Sequence, residues 1–286
     1  PIAVAGPAAL RLRFAGKLNP SMHGLYLASD GHSRAVCSQC QATDARAIFP
    51  CFDEPEFKAR LRWTLRAPKT DAIGAPLTVL SNGPLLDTAP HGEHIEHRFG
   101  PTRPVSSYLA AVAIGAFESD PPRVVNQIPL RVFSARGQTA QTRFATDFTD
   151  RLLPWYEEYF DYPYPYGKYD QVAVPGFDAG AMENVGLVLF RQHLLLMDPA
   201  TASWRQEKTI ALVVAHEFAH MWFGNLVTMR WWDDLWLNEA FAEWMAHKVV
   251  AALAPDYQVW SDFQDDKARA LADDALPSTH PIWTPV

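Results

Sequence analysis

The chain has 286 residues, 48% of them hydrophobic, and 25 Lys and Arg against 32 Asp and Glu give it a net charge of −7. This length favours two globular domains over one. The sequence has no basic run dense enough to follow a phosphate backbone and no apolar run near the ~20 residues of a membrane-spanning helix, which argues against nucleic-acid binding and against a membrane span.

The N-terminal part of the chain has the two-residue alternation of β-strands. In ARLRWTLRA, at 59–67, Leu61, Trp63 and Leu65 alternate with polar side chains, so one face of the strand would be buried. Turn sequences such as SNGP, at 81–84, separate these runs. The pattern predicts a partial N-terminal antiparallel β domain over residues 1–118.

The Pro-rich stretch ESDPPR, at 118–123, is where this pattern changes. Beyond it, after a further short strand, apolar residues recur at helical spacing. We therefore expect a second, mostly helical domain over residues 119–286. Strands followed by helices place the chain in the α+β fold class.

Two motifs in the β domain resemble metal sites only weakly. Cys37 and Cys40 form CSQC, but no second pair of Cys or His at a suitable spacing accompanies them, and we interpret them as ordinary thiols. HGEHIEH places His91, His94 and His97 three residues apart. Its glycine turn and its alternation favour a hairpin whose histidines face solvent.

A long helix is predicted at the centre of the second domain. Ser203, followed three residues later by Gln206, forms a capping box, and the apolar run that follows ends at Gly224. The helix should therefore span roughly 204–223.

This helix carries the sequence HEFAH. His216 and His220 are four residues apart, so both imidazoles project from one face and can bind the same ion. Glu217 is rotated by ~100° from His216, which places it beside the ion as a general base. The competing interpretation is a buried helix whose histidines are satisfied internally, and it has to accommodate costly polar groups among apolar neighbours.

A second helix is predicted from Asp233 or Asp234 to about Ala254. It carries Glu239 near its start, and a short connection would bring this carboxylate to the two histidines. Because an open catalytic zinc site needs three protein ligands, we expect one Zn²⁺ ion per chain, bound by His216, His220 and Glu239. Glu243, one turn later, would either hydrogen-bond to a metal-binding histidine or lie on a solvated face, and it stays outside the predicted site.

Zinc at such a site would activate water and polarise a carbonyl group, while Glu217 carries the proton of the water to the leaving amine. This is the chemistry of peptide-bond hydrolysis.

The sequence GAMEN, at 180–184, is the second candidate part of the site. An enzyme that removes one residue from a chain end must recognise a free α-ammonium group, which the carboxylate of Glu183 can do. Gly180 would let a substrate backbone approach closely. Ala181, Met182 and Asn184 complete the predicted substrate-binding segment. An edge strand with an incidental surface glutamate is the alternative.

HEFAH and NEAFAEW at this separation resemble the zinc aminopeptidase family of aminopeptidase N and leukotriene hydrolase, gluzincins whose metal motif is H-E-x-x-H, eighteen residues and Glu. GAMEN matches the exopeptidase motif of that family. The segments at 37–55 and 159–177 extend the similarity over most of the chain. The resemblance implies a thermolysin-like zinc catalytic domain and hydrolysis of the N-terminal bond of peptides.

The resemblance also assigns Gln41 to the substrate amine, at a position where many members carry glutamate. An amide oxygen accepts a hydrogen bond but brings no charge. The alternative for Gln41 is a polar loop residue without a role in binding.

Two other functions remain open. An endopeptidase of the thermolysin type would share the metal chemistry without recognising the N-terminus, and Glu183 argues against it. A catalytically silent scaffold would be expected to lack a metal ligand or the general base. The three ligands and the base are all present here, as His216, His220, Glu239 and Glu217. The expected partners are peptides with a free N-terminus, and the sequence indicates no oligomeric state.

The family resemblance further implies a tyrosine downstream of the third ligand that stabilises the oxyanion. The final tyrosine here is Tyr257, and we interpret the tyrosines at 156–169 as aromatic packing. We therefore expect a fragment that lacks the start of its β domain, is cut inside its catalytic domain and has little peptidase activity. We expect it to be soluble, with cytoplasm and periplasm both open.

Overall fold

The structure is a computed structural model that describes residues 6–285. Residues 1–5 of the predicted β domain and residue 286 of the predicted catalytic domain lie outside the described residues. Across 6–285, no helix combines the length and the apolar content that crossing a bilayer requires.

Short strands joined by turns form the first half of the molecule. They are β1 (Gly24–Ser29), β2 (Arg34–Gln39), β3 (Ala59–Arg60), β4 (Thr64–Pro68), β5 (Thr78–Ser81), β6 (Leu85–His91), β7 (His94–Phe99), β8 (Pro104–Val105) and β9 (Val112–Gly115). The strands pair antiparallel in sheets ordered β1-β2-β9-β5, β4-β7-β6 and β3-β8. The predicted antiparallel β architecture is confirmed.

The second half combines a mixed sheet with helices. Its strands are β10 (Phe117–Glu118), β11 (Arg123–Val125), β12 (Ile128–Ala135), β13 (Tyr169–Val174), β14 (Ala181–Met182) and β15 (Leu187–Arg191), and its helices are α1 (Arg143–Phe160), α2 (Trp204–Ala219), α3 (Leu235–Leu253) and α4 (Val259–Asp274). The predicted α+β class is confirmed.

The mixed sheet has the order β10-β12-β13-β15-β14, with β11 also paired to β12. β13 is parallel to both β12 and β15, and α1 is the crossover that parallel pairing of β12 and β13 requires. β13 is buried along its whole length, as expected of a parallel strand covered on both faces. Because β10 pairs with β12, residues 117–118 join this sheet, and the domain boundary at 118/119 stays a prediction.

Aromatic side chains fix the helix that carries HEFAH. The ring centroid of Tyr169 on β13 lies 4.4 Å from that of Phe218 on α2, and Tyr156 on α1 stacks on Phe218 at 5.8 Å. The Tyr156 hydroxyl donates to the carbonyl of Ala215 at 2.9 Å, so its buried polar tip has a partner. The predicted packing role is confirmed for the buried tyrosines of the 156–169 cluster, Tyr156, Tyr164, Tyr166 and Tyr169, whereas Tyr159 and Tyr162 are exposed.

α2 begins where the sequence predicts and ends earlier. The Ser203 hydroxyl accepts a hydrogen bond from the backbone N–H of Gln206 at 3.2 Å, which confirms the cap. The predicted end at residue 223 is wrong, because the helix stops at Ala219. A tight turn replaces the last helical turn: Gly224 adopts a φ of +116° and the amide of the next residue donates to the carbonyl of His220.

α3 ends where the sequence predicts, at about Ala254. It spans Leu235–Leu253, and Asp234 occupies the N-cap position as predicted. Within the described residues the Asp234 side chain makes no capping hydrogen bond, and a 3-10 turn at Trp232–Asp234 leads directly into the helix.

The predicted strand at 59–67 is interrupted. β3 ends at Arg60 and β4 begins at Thr64. Leu61 and Trp63 lie between the two strands, and their carbonyls accept hydrogen bonds from the amides of Thr102 and Phe99 at 2.9 and 3.0 Å. Leu61, Trp63 and Leu65 are partly buried and the residues between them are exposed, so the half-buried face that the alternation predicts is retained.

The predicted HGEHIEH hairpin is confirmed, with His91 on β6 paired to His94 on β7, both exposed. The expectation that all three histidines face solvent is wrong for His97, which is 9% exposed. His97 lies on the same face of β7 as Ile95 and Phe99, and the side chains of this face are partly or fully buried.

The cysteines of CSQC are buried thiols. Cys37 and Cys40 are both fully buried, and burial raises the pKa of each thiol well above its usual range. A thiol that resists ionisation is a poor nucleophile and a poor metal ligand. The interpretation of these cysteines as ordinary thiols fits this environment.

Candidate metal and active site

Three candidate metal ligands meet where α2 and α3 pack together. His216 Nε2 and His220 Nε2 lie 2.9 Å apart, and Glu239 Oε2 lies 3.4 Å from the first and 3.6 Å from the second. The sequence separation of four residues puts both imidazoles on one face of α2, and the turn at 220–234 brings the start of α3 to that face.

The spacing of these three atoms fits a zinc ion. Zinc binds imidazole nitrogen and carboxylate oxygen at about 2.0–2.1 Å, so adjacent donors of a tetrahedral site lie ~3.3 Å apart. The distances of 2.9, 3.4 and 3.6 Å scatter around that value. Two nitrogens and one oxygen also leave a fourth position open, as catalytic zinc sites require.

Further acceptors hold the outer ring nitrogens of both histidines. His216 Nδ1 lies 3.0 Å from Glu243 Oε2, and His220 Nδ1 lies 3.1 Å from the carbonyl oxygen of Phe223. Such partners orient an imidazole and fix which nitrogen faces the metal. The sequence left the role of Glu243 open, and its spacing of one turn from Glu239 was the available signal.

Burial and hydrogen bonding have opposite effects on the pKa values of His216 and Glu239. Burial disfavours the charged form of His216, but its hydrogen bonds with Glu239 and Glu243 raise its pKa to about 10. Burial also opposes ionisation of Glu239, yet the bonds from His216 and His220 hold the pKa of this carboxyl well below its usual range. The third ligand position is therefore a carboxylate at neutral pH.

Glu217 lies beside this cluster on α2. It is 6% exposed, and burial raises the pKa of its carboxyl to about 7. Its Oε2 has no hydrogen-bond partner among residues 6–285. Carboxylate oxygens of Glu217 and Glu183 and a ring nitrogen of His220 all lie within 4.8 Å of one another, so the predicted base and the GAMEN glutamate share one small space.

The GAMEN segment reaches the metal-binding helices through Glu183. Ala181 and Met182 form β14, and Glu183 follows directly with 3% of its surface exposed. Asn225 Nδ2 donates to the Glu183 carbonyl at 2.8 Å, and Asn238 Nδ2 donates to its Oε1 at 3.1 Å. Burial raises the pKa of the Glu183 carboxyl. Neither asparagine was predicted as part of the site, although Asn238 directly precedes Glu239.

The remaining predicted substrate-binding residues surround this segment. A Cβ at Gly180 would meet only Leu194, at 3.6 Å, so the packing of the described chain does not itself require glycine there. Asn184 is buried, and neither polar atom of its side chain has a partner among residues 6–285. Gln41 is half-buried and follows β2. The last residue of β2 is Gln39, and its Nε2 lies 3.3 Å from Met182 Sδ. The binding roles of these residues stay predictions.

The β half of the molecule also contacts the site. Lys58 Nζ donates to the carbonyls of Asn225 and Leu226 at 3.0 and 2.9 Å, and the Tyr108 hydroxyl donates to the carbonyl of Gly224 at 3.2 Å. These bonds hold the turn between α2 and α3 against the β-sheets.

Comparison with protein families agrees with this geometry. The family model described as the Peptidase family M1 domain matches residues 144–286, and the Peptidase M1 N-terminal domain matches residues 2–109. The chain belongs to peptidase family M1. The earlier resemblance to zinc aminopeptidases is thereby confirmed at the level of the family.

Curated relatives of this M1 chain include enzymes from plants and animals. It is 41% identical over 281 residues to Aminopeptidase M1-B of Oryza sativa subsp. japonica, covering 97% of this chain and 31% of the relative. It is 40% identical over 279 residues to the puromycin-sensitive aminopeptidase of Caenorhabditis elegans, with coverages of 96% and 29%. It is 40% identical over 293 residues to endoplasmic reticulum aminopeptidase 1 of Homo sapiens, with coverages of 100% and 30%. The chain thus spans less than a third of the length of these relatives.

Proposed function

We propose that this M1 protein is a zinc-dependent aminopeptidase that hydrolyses the N-terminal bond of peptides. The observation that carries the proposal is the convergence of His216, His220 and Glu239, with Glu217 and Glu183 at their side. The relatives at about 40% identity are named aminopeptidases, which supports the same activity.

His216, His220 and Glu239 would hold one zinc ion per chain. When bound, the ion supplies Lewis acidity and activates water. Glu243 and the carbonyl of Phe223 keep the two imidazoles in the orientation that binding requires.

Glu217 acts as the general base in this proposal. Its Oε2 is buried and makes no hydrogen bond within the described chain, so the atom is available to a water molecule and a substrate. It takes a proton from the attacking water and delivers it to the nitrogen of the leaving amine.

Glu183 binds the free α-ammonium group of the substrate. A charge-assisted hydrogen bond between a carboxylate and an ammonium group is about twice as strong as a neutral one. Because Glu183 lies within 4.8 Å of both Glu217 and His220, a peptide held by its amino group presents its first peptide bond to the base.

The test compares free and blocked amino groups. Leucine hydroxamate chelates zinc and carries a free amine, and N-acetyl-leucine hydroxamate differs only at that amine. We expect the zinc-loaded protein to bind the free compound about 10- to 100-fold more tightly in calorimetry, since a hydrogen bond to a charged group contributes ~1.5–3 kcal/mol. Glu183→Ala should remove this preference and keep the zinc.

Two outcomes would contradict the proposal. Equal binding of both hydroxamates, together with cleavage of internal bonds in N-acetylated peptides, would indicate an endopeptidase. Failure to bind zinc would indicate a scaffold without catalytic chemistry.

A further inference from the structure

The carboxylate of Glu183 lies in crowded electrostatic surroundings. It is 3% exposed, and its oxygens lie close to the carboxylate of Glu217 and to the ring of His220. Two neighbouring buried carboxylates repel each other, so the side chain of Glu183 would turn away from Glu217 unless a donor held it.

Asn238 supplies such a donor. Its Nδ2 donates to Glu183 Oε1 at 3.1 Å, and the residue is 1% exposed. An amide nitrogen donates and a carboxylate oxygen accepts, so the Nδ2 end of the Asn238 amide faces Glu183. Because Asn238 is the residue before Glu239, the same turn of α3 carries this donor and the third candidate metal ligand.

Gly224 provides the space in which the amide lies. A Cβ at this position would stand 2.1 Å from Asn238 Oδ1, a distance that no packed pair of atoms tolerates. The φ of +116° at Gly224 is also a conformation that favours glycine. The turn after α2 is therefore shaped around the Asn238 side chain.

A second amide holds the backbone of the same glutamate. Asn225 Nδ2 donates to the Glu183 carbonyl at 2.8 Å, and the carbonyl of Asn225 itself accepts from Lys58. The backbone N–H of Glu183 also donates to its own carboxylate, and Asn238 adds the side-chain donor, which holds Oε1 from the α3 side.

We propose that Asn238 is a positioning residue that directs the Glu183 carboxylate at the α-ammonium group of the substrate. This inference rests on the proposed role of Glu183 in the aminopeptidase. It explains why an amide stands at this position: an aspartate would place a third carboxylate beside Glu183 and Glu217, and an apolar side chain would leave Oε1 without its donor.

The experiment uses Asn238→Leu, which keeps the approximate shape of the side chain and removes the donor. Binding of leucine hydroxamate and of N-acetyl-leucine hydroxamate to the zinc-loaded protein is measured by calorimetry, and zinc content by mass spectrometry. We expect affinity for the free amine to fall about tenfold, affinity for the acetylated compound to stay unchanged, and zinc to stay at one per chain. Gln171→Leu is the matched control, because it removes a buried amide that donates to Thr149 away from the site.

The control should keep the full preference for the free amine. A preference retained in Asn238→Leu, an equal loss for both compounds, or loss of zinc would overturn the inference and leave the proposed function standing. Equal binding of both compounds by the unchanged protein would instead defeat the role of Glu183, and the inference with it. If Asn238→Leu does not fold, Asn238→Ser is too short to reach Glu183 and should give the same selective loss.

Discussion

At the scale of single residues, the site depends on side chains that hold the candidate ligands in place. Glu243 Oε2 lies 3.0 Å from His216 Nδ1, and Glu243 Oε1 lies 3.3 Å from His247 Nδ1. Bonds between a carboxylate and a metal-binding imidazole raise the basicity of the ligand and fix its ring. Glu243 should therefore strengthen zinc binding without touching the ion.

We expect Glu243→Ala to weaken zinc affinity by about 10- to 100-fold, the usual effect of removing a partner of a metal-binding histidine. Competition with a chromophoric chelator measures this affinity. Glu158→Ala, at an exposed position on α1, is the control and should bind zinc as the unchanged protein does. Equal affinities in both variants would mean that the contact with His216 contributes nothing.

Some contacts of the site could be predicted from the sequence and others could not. The spacing of His216, Glu217 and His220 needs only helical periodicity, so the sequence is sufficient to group them. The contact of Asn238 with Glu183 joins residues 55 positions apart, and it depends on how the turn at 220–234 folds. No local pattern encodes a contact of that kind.

At the scale of elements, α2 positions both histidines, and its first turn is held by a side-chain cap. Ser203→Ala removes the hydroxyl that accepts the N–H of Gln206 and should lower the free energy of unfolding by ~1 kcal/mol. Urea titration followed by tryptophan fluorescence measures the loss.

Thr209→Ala on the same helix is the matched control. Its exposed hydroxyl donates to the carbonyl of Arg205 inside the helix, where alanine is the better helix former. We expect this variant to be unchanged or slightly more stable. A loss equal to that of Ser203→Ala would show that the cap has no special contribution.

For α2, the start was easier to predict than the end. The Ser203 cap is a local signal, whereas α2 stops at Ala219 because the chain turns to meet α3 and the β half, with the amide of Gly224 bonded to the carbonyl of Val227. The interruption between β3 and β4 has a similar cause, since the backbone partners of Leu61 and Trp63 come from 99–102. Hydrogen bonds from residues distant in sequence contribute to both limits, since Lys58 and Tyr108 donate to the turn after α2.

At the scale of the whole molecule, Lys58 joins the β half to the site. Its ammonium group is half-buried and donates to two carbonyls in the turn after α2, and burial lowers its pKa. We expect Lys58→Met to reduce the free energy of unfolding by about 1–3 kcal/mol, because two partly buried carbonyl oxygens lose a charged donor. Lys69→Met, at an exposed position of the β half, should leave the free energy of unfolding unchanged. Matching stabilities of the two variants would contradict this account of the contact.

The sequence predicted both the α+β class and the order of the two halves. It did not predict that α1 would be the crossover of a parallel strand pair or that β10 would join the second sheet, because strand pairing depends on partners distant in sequence. Membership of peptidase family M1 agrees with the overall plan.

The central claim is that His216, His220 and Glu239 bind one zinc ion while Glu217 stands beside it as the base. The most direct test is the zinc content of the dialysed protein, of His216→Ala and of Glu217→Gln, measured by mass spectrometry against protein concentration. We predict one zinc per chain in the unchanged protein and in Glu217→Gln, and almost none in His216→Ala, because only the last variant loses a ligand. A full equivalent of zinc in His216→Ala, or its loss from Glu217→Gln, would contradict the account.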